Sequence, residues 1–164
     1  MVNTSLENST KAENSCGEFP WLVFLLHSVK YAINCRYVTS ILEKPDKITP
    51  IVNSPDFVLG IINIREDIIP LVDMAVFFKI TNRTIEQQNN DMVIMLHNKE
   101  ETTGFRIDGV LAVENLKVIT QASERETLKN FYLYGIGTQN NDVNQEIILM
   151  LDDERLIDDV LNHM

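Results

Sequence analysis

Grouped cations are missing from this chain. Its 14 Lys and Arg stand against 24 Asp and Glu, a formal charge of −10 over 164 residues. A protein that binds nucleic acid or an anionic membrane must displace counterions with clustered positive charge, so neither is an expected partner. The acidity instead favours solubility and choice among protein partners. Long apolar runs are also missing. The longest falls well short of the about 20 residues that span a bilayer. The first residues, M-V-N-T-S-L-E-N-S-T-K-A-E-N-S, have neither a basic start nor an apolar centre, so a secretory signal is not expected. The reading is a cytoplasmic protein with no direct membrane insertion. Two cysteines, Cys16 and Cys35, are too few for a disulfide framework and are expected as reduced thiols.

Signatures of chemistry are equally sparse. His27, His97 and His163 are isolated, with no Cys, His, Asp or Glu at zinc-like spacing. Asp152, Asp153 and Glu154 lack the alternating rhythm of a calcium loop and suit a helix N-terminus better. Asp108-Gly109 lacks the intervening hydroxyl residue of an aspartic-protease loop. Gly135-Ile136-Gly137 lacks a third glycine and a following helix, so it is no nucleotide fingerprint. No Gly-x-Ser-x-Gly, Cys–His or Walker pattern occurs. No enzyme activity, metal or cofactor is expected.

What is present is one domain's length of chain with an ordinary hydrophobic content of 45%. Its centre of gravity is F-V-L-G-I-I-N-I-R-E-D-I-I-P-L-V-D, residues 57–73. Two apolar runs rich in β-branched residues flank a polar tip at 63–67, which predicts a hairpin buried on both faces with Arg65 presented at its end. Gly60 inside the first run predicts a bend or a close backbone approach, and Pro70 predicts an edge or a bulge.

Around that hairpin the pattern predicts about ten short strands. Residues 1–18 are polar and aperiodic and are expected to be a disordered tail. Strands are expected at 21–26, 31–34 and 37–42, then a Pro-punctuated loop at 44–55. Residues 74–80 should continue or follow the hairpin, and 81–91 should be a surface loop. Further strands are expected at 92–96, 103–107, 110–113, 118–120, 131–136 and 147–151, with one or two helical turns at 123–129. Asp108-Gly109 between two apolar runs is a hairpin signal that can also mark a bulge. Leu156, Ile157, Val160 and Leu161 share one helical face. The sum is a mostly-β barrel or sandwich with a terminal helix.

Several of these stretches together resemble the CheW family of chemotaxis coupling proteins. They are Y-A-I at 31–33 and V-x-x-I at 38–41, then I-T-P-I-V-N-S-P-D-F-V-L-G-I-I-N-I-R at 48–65 and I-I-P-L-V-D at 68–73. The second half adds G-F-R-I-D-G-V at 104–110, Y-x-x-G-I-G at 132–137 and L-M-L-D at 149–152. The resemblance implies two five-stranded SH3-like β-barrel subdomains packed around a hydrophobic seam. The first would span roughly 29–88 and the second 89–151 with strand exchange, followed by a helix at 153–162. It implies a non-catalytic adaptor that joins the regulatory domain of a chemotaxis histidine kinase to the cytoplasmic tip of chemoreceptors, at membrane-associated arrays. By position, Val38, Ile41, Arg65 and Ile68 would face partners from the first subdomain, and Gly109, Val110 and Gly135 would lie at turns of the second. Two positions depart from the family pattern: Ser40 stands where Glu is usual, and Glu66 where Gly follows the Arg. They motivate the alternative of a divergent scaffold or a competitor in another sensory or motility pathway.

Overall fold

The computed structural model describes residues 19–80, 91–125, 127, 131–139, 144 and 146–164. The expected tail at 1–18 and most of the expected loop at 81–91 lie outside these, as do residues 126, 128 and 129 of the expected helical stretch at 123–129. The strands are β1 (Trp21–Leu26), β2 (Val29–Asn34), β3 (Val38–Glu43), β4 (Val58–Ile64), β5 (Asp67–Asp73), β6 (Met92–Asn98), β7 (Glu101–Ile107), β8 (Gly109–Glu114), β9 (Leu116–Gln121), β10 (Leu133–Gln139) and β11 (Ile148–Leu151). Among the described residues a 3-10 turn, Cys35–Tyr37, precedes β3, and α-helices follow β5 and β11: α1 (Met74–Phe77) and α2 (Asp153–His163).

The strands form a six-stranded sheet, order β8-β1-β2-β11-β10-β9, and a five-stranded sheet, order β3-β6-β7-β5-β4. The mostly-β expectation holds, but the two five-stranded barrels do not: the sheets differ in size and no ladder closes either. Both nonetheless curl. The edge strands β8 and β9 are separated in the chain only by Asn115, so the edges of the larger sheet must meet at that corner. In the smaller sheet, Leu42 from edge strand β3 and Ile64 from edge strand β4 pack on one cluster with Ile62, Ile69 and Val93.

Alternation along the strands creates three apolar layers. In β6, Val93 and Met95 face the inner cluster of the smaller sheet, while Ile94 and Leu96 face the other way. In β1, Trp21 and Val23 face the inner cluster of the larger sheet, while Leu22, Phe24 and Leu26 turn outward. The outward sets meet in a seam, which α2 completes with Leu156, Ile157 and Val160. Strands sandwiched in this way are apolar on both faces, hence their near-continuous hydrophobic runs. Each fully buried aliphatic side chain there contributes about 1.5–3 kcal/mol.

Three local expectations changed in the folded chain. Residues after β5 form a helical turn rather than more strand, because the Asp73 carboxylate accepts the Ala75 and Val76 N–H groups, at 2.9 and 3.2 Å. Pro70 stands in an interior strand, between β4 and β7. It is tolerated because the parallel ladder with β7 covers only Leu71, Val72 and Asp73. Asp108-Gly109 closes no hairpin: β7 pairs with β5 and β6, whereas β8 pairs with β1 in the other sheet. The chain changes sheets at this dipeptide. Gly60 behaves as its position suggests. Its φ is +142°, and a Cβ there would stand 2.3 Å from the Thr49 carbonyl oxygen.

Candidate docking surfaces

The β4–β5 hairpin turns through two residues, Arg65 and Glu66, with Ile64 paired to Asp67. Arg65 takes the left-handed conformation, φ 54°, and Glu66 does not. The charged residue that replaces the family's usual glycine therefore sits on ordinary backbone. Among the described residues Arg65 is exposed and has no ion-pair partner, so it is not neutralised by Glu66 or Asp67. Next to it, Ile68 is 68% exposed while Ile69 is 6% exposed. Alternation on a stiff strand turns one isoleucine into solvent and its neighbour into the core.

Ile68 and Pro70 border a cleft of about 1210 Å³, whose other walls are the turn at 97–102 and Asp158 and Leu161 of α2. Across it Lys99 Nζ bonds both carboxylate oxygens of Asp158, at 3.2 and 3.3 Å. Both partners are well exposed, so the pair contributes under about 1 kcal/mol.

The other anticipated residues fall into different settings. Val38 is half-buried, paired with Leu96 and packed against the seam. Ile41 is 38% exposed on the edge strand β3, beside exposed Thr39 and Ser40. Thus Val38 and Ile41 lie on one edge strand of the smaller sheet, and Arg65 and Ile68 on the hairpin that forms the other edge. Gly109 and Val110 open β8 opposite Leu25 and Phe24. Gly135 is buried in β10, and a Cβ there would stand 2.5 Å from the Thr120 carbonyl oxygen. Its glycine is explained by the close approach of β9.

Folding also assembles an aromatic groove that strand patterning does not reveal. Tyr31, Phe57, Phe77, Phe78, Phe131 and Tyr132 line an apolar depression of about 1200 Å³. Phe57 and Phe77 meet edge to face, with centroids 5.1 Å apart, and Tyr31 stacks on Phe78 at 5.9 Å. Phe131 projects, 68% exposed. The adjacent pairs Phe77-Phe78 and Phe131-Tyr132 were the available signal. Further aliphatic groups stand free at Val52, 84% exposed, and at Leu111 and Val113 on edge strand β8.

The titratable groups with displaced pKa values serve structure. Burial, then the 2.6 Å hydrogen bond to Glu154, pushes the Tyr37 phenol upward. Burial, then its bond to Asp159, does the same for Tyr132. Cys35 is raised by burial and by nearby Asp153. Burial, aided by the neighbouring carboxylates Asp152 and Glu154, raises Asp153 well above the usual range, against the Asn34 N–H and Arg36, which lower it. In the seam wall Arg106 bonds Asp73 and lies 3.6 Å from Asp91, two carboxylates that are nearly fully buried. Among the described residues no group of three His, Cys, Asp or Glu is placed to hold a metal ion, and no helix is long and apolar enough to cross a membrane.

Curled sheets with separate inner cores, joined by a seam and carrying exposed aliphatic groups on stiff turns, define a class: a scaffold that works by docking other proteins. Comparison with known proteins agrees. The model of the CheW-like domain matches residues 20–161. The chain is 30% identical over 147 residues to the chemotaxis protein CheW of Thermotoga maritima, covering 87% of this chain and 90% of that protein. Its fold is similar to the crystal structure of the scaffolding protein TtCheW from Thermoanaerobacter tengcongensis. The TM-score is 0.66 at 23% identity, over 81% of this chain and 88% of that one. The chain belongs to the CheW-like family. It is a chemotaxis coupling scaffold and a non-catalytic adaptor.

Proposed function

We propose that this chain holds the regulatory domain of a chemotaxis histidine kinase and the cytoplasmic tip of chemoreceptors in one cytoplasmic array. Each curled sheet acts as one barrel-like docking unit, and the seam fixes the angle between them. The observation that carries this reading is the hairpin tip, where a guanidinium with no ion-pair partner among the described residues stands beside an isoleucine left 68% exposed. Exposed apolar anchors beside an Arg are the composition of interface hot spots, and a guanidinium makes directional hydrogen bonds to partner oxygens. Ile41, Val38, Gly109 and Val110 extend the same role to β3 and β8. Gly135, being buried, acts through the pairing of β9 and β10.

The test is a pull-down with the cognate kinase domain and receptor tip. Arg65→Ala and Ile68→Ala should each weaken at least one partner about tenfold with no loss of melting temperature, since neither side chain is buried. Wild-type affinity for both partners in both variants would refute the reading. Ser40 and Glu66 are both exposed on these surfaces and favour a second reading, a divergent scaffold or competitor. Binding without kinase activation in a reconstituted array would support that one.

A further inference from the structure

We propose that the hollow at the start of α2 takes one arginine side chain of a partner protein, with Asp153 as its buried acceptor and Trp21, Tyr37 and Tyr134 as its aromatic walls. This site lies apart from the hairpin tip and does not rest on the role given to Arg65 and Ile68.

The hollow encloses about 290 Å³ where the start of α2 meets the end of β2, the 3-10 turn, β1 and β10. Pockets for drug-sized ligands run to about 300–1,000 Å³, so this one suits a single side chain. Trp21 is buried and Tyr134 exposed, and their ring centroids lie 5.8 Å apart. Beside them stand Tyr37 and the carboxylates of Asp153 and Glu154. Aromatic faces next to carboxylates are surroundings that hold an organic cation. The chain's own Arg36 behaves accordingly: its guanidinium lies 4.7 Å from the centre of the Tyr37 ring and 3.4 Å from Glu154. Arg36 is itself exposed and so lies at the rim.

Asp153 is what asks for a second cation. It is 4% exposed; Oδ2 accepts the Asn34 N–H at 2.9 Å, while Oδ1 has no hydrogen-bond partner among the described residues. One oxygen serves the fold and the other is left over. A buried acceptor without a donor is costly, and a guanidinium brings several donors in a planar fork. The flanking carboxylates already have partners. Asp152 accepts the Arg155 N–H at 3.3 Å, and Glu154 accepts the Tyr37 hydroxyl at 2.6 Å. Among the described residues no three acidic groups converge to hold a metal ion, so the geometry suits an organic cation better. Asp152, Asp153 and Glu154 outnumber Arg36 and disfavour the α-carboxylate of a free amino acid. An arginine side chain within a protein brings no such group. Burial, Asp152 and Glu154 raise the Asp153 pKa, against the Asn34 N–H and Arg36. Cys35 and Tyr37 also face it, their own pKa values raised by burial. An arriving guanidinium favours the ionised carboxylate, so binding should release a proton and strengthen as pH rises.

The test uses the whole chain and a blocked arginine, Nα-acetyl-arginine methylamide. Trp21 is the sole tryptophan, so its indole resonance reports on the hollow. Blocked arginine should shift that resonance saturably, with half-saturation at about millimolar concentration, as one side chain allows. A wild-type resonance that does not move would overturn the proposal without any variant. Blocked citrulline, of the same shape and uncharged, should bind about tenfold more weakly or not at all. Blocked lysine should also bind more weakly, and equal binding would overturn the guanidinium as occupant. Free arginine that binds more tightly than the blocked form would overturn the partner side chain in favour of the amino acid. Asp153→Asn should weaken blocked arginine about tenfold with no loss of melting temperature, and should flatten the pH dependence of binding. Unchanged affinity in that variant would overturn Asp153 as the acceptor. These results stand whether or not the kinase domain and receptor tip dock through the hairpin.

Discussion

Replacing Asp153 with Asn should stabilise this protein at neutral pH and flatten its stability across the mildly acidic range. Asp153 opens α2 and is 4% exposed. One carboxylate oxygen accepts the Asn34 N–H at 2.9 Å, and the other has no hydrogen-bond partner. Three effects favour the charged form: that bond, worth about 1.5–3 kcal/mol, the nearby Arg36 guanidinium, and the helix N-terminus, worth about 0.3–1 kcal/mol. Against them stand desolvation of a buried ion, several kcal/mol, and the like charges of Asp152 and Glu154. Desolvation prevails, so the folded-state pKa lies well above the ordinary value of 3.8. The folded chain then binds more protons than the unfolded chain between those two values, and stability must fall as pH rises through that window. One proton gives a limiting slope of about 1.4 kcal/mol per pH unit. For a domain of this size that is about 3–5 °C in melting temperature per unit. Asn keeps the acceptor for the Asn34 N–H and cannot ionise. Thermal melts of wild type and Asp153→Asn, taken at half-unit steps from about pH 3.5 to 7.5, should coincide at the acid end and diverge toward neutrality, the variant melting higher. Other carboxylates titrate alike in both and cancel. Parallel curves would refute the argument, as would a variant that melts lower at neutral pH.

Other consequences can be checked in the same preparation. Gly60→Ala forces a Cβ into the Thr49 carbonyl at a φ that L-residues avoid, so urea denaturation should show a loss of about 3 kcal/mol or more; a loss under about 1 kcal/mol would mean that the bulge relaxes. Leu156→Ala empties a fully buried position in the seam and should lose about 2–5 kcal/mol, read as a lower midpoint at unchanged slope. Arg106→Met removes the guanidinium that bonds buried Asp73 and lies near buried Asp91, and should lose about 3–5 kcal/mol in urea denaturation at neutral pH; a loss under about 1 kcal/mol would mean that the other partners of these carboxylates suffice.

Much of the architecture was legible because the relevant signals are local. The apolar runs of β1, β4, β5 and β6 show their strand character through β-branched content and length. The terminal helix shows itself through the spacing of Leu156, Ile157, Val160 and Leu161 behind an acidic first turn. Gly60 marked a close approach because only glycine fits one. The family pattern across 48–73 and 104–110 placed Arg65 and Ile68 together on one hairpin, and they do share one.

The chain's own order of residues determined roughly where most strands and the terminal helix lie, though not their exact ends, and which turn carries the guanidinium. Tertiary structure alone decided which side of each strand meets water. Ile68 and Ile69 are chemically identical, and a run that is apolar on both faces has no alternation to read. Structure likewise decided that Asp108-Gly109 is a crossing, because the Leu25 carbonyl and His27 N–H that hold it come from the far end of the chain. The aromatic groove and the buried Asp153 share that origin. Burial is a property of what packs against a residue, and those neighbours are chosen by long-range pairing between the two sheets.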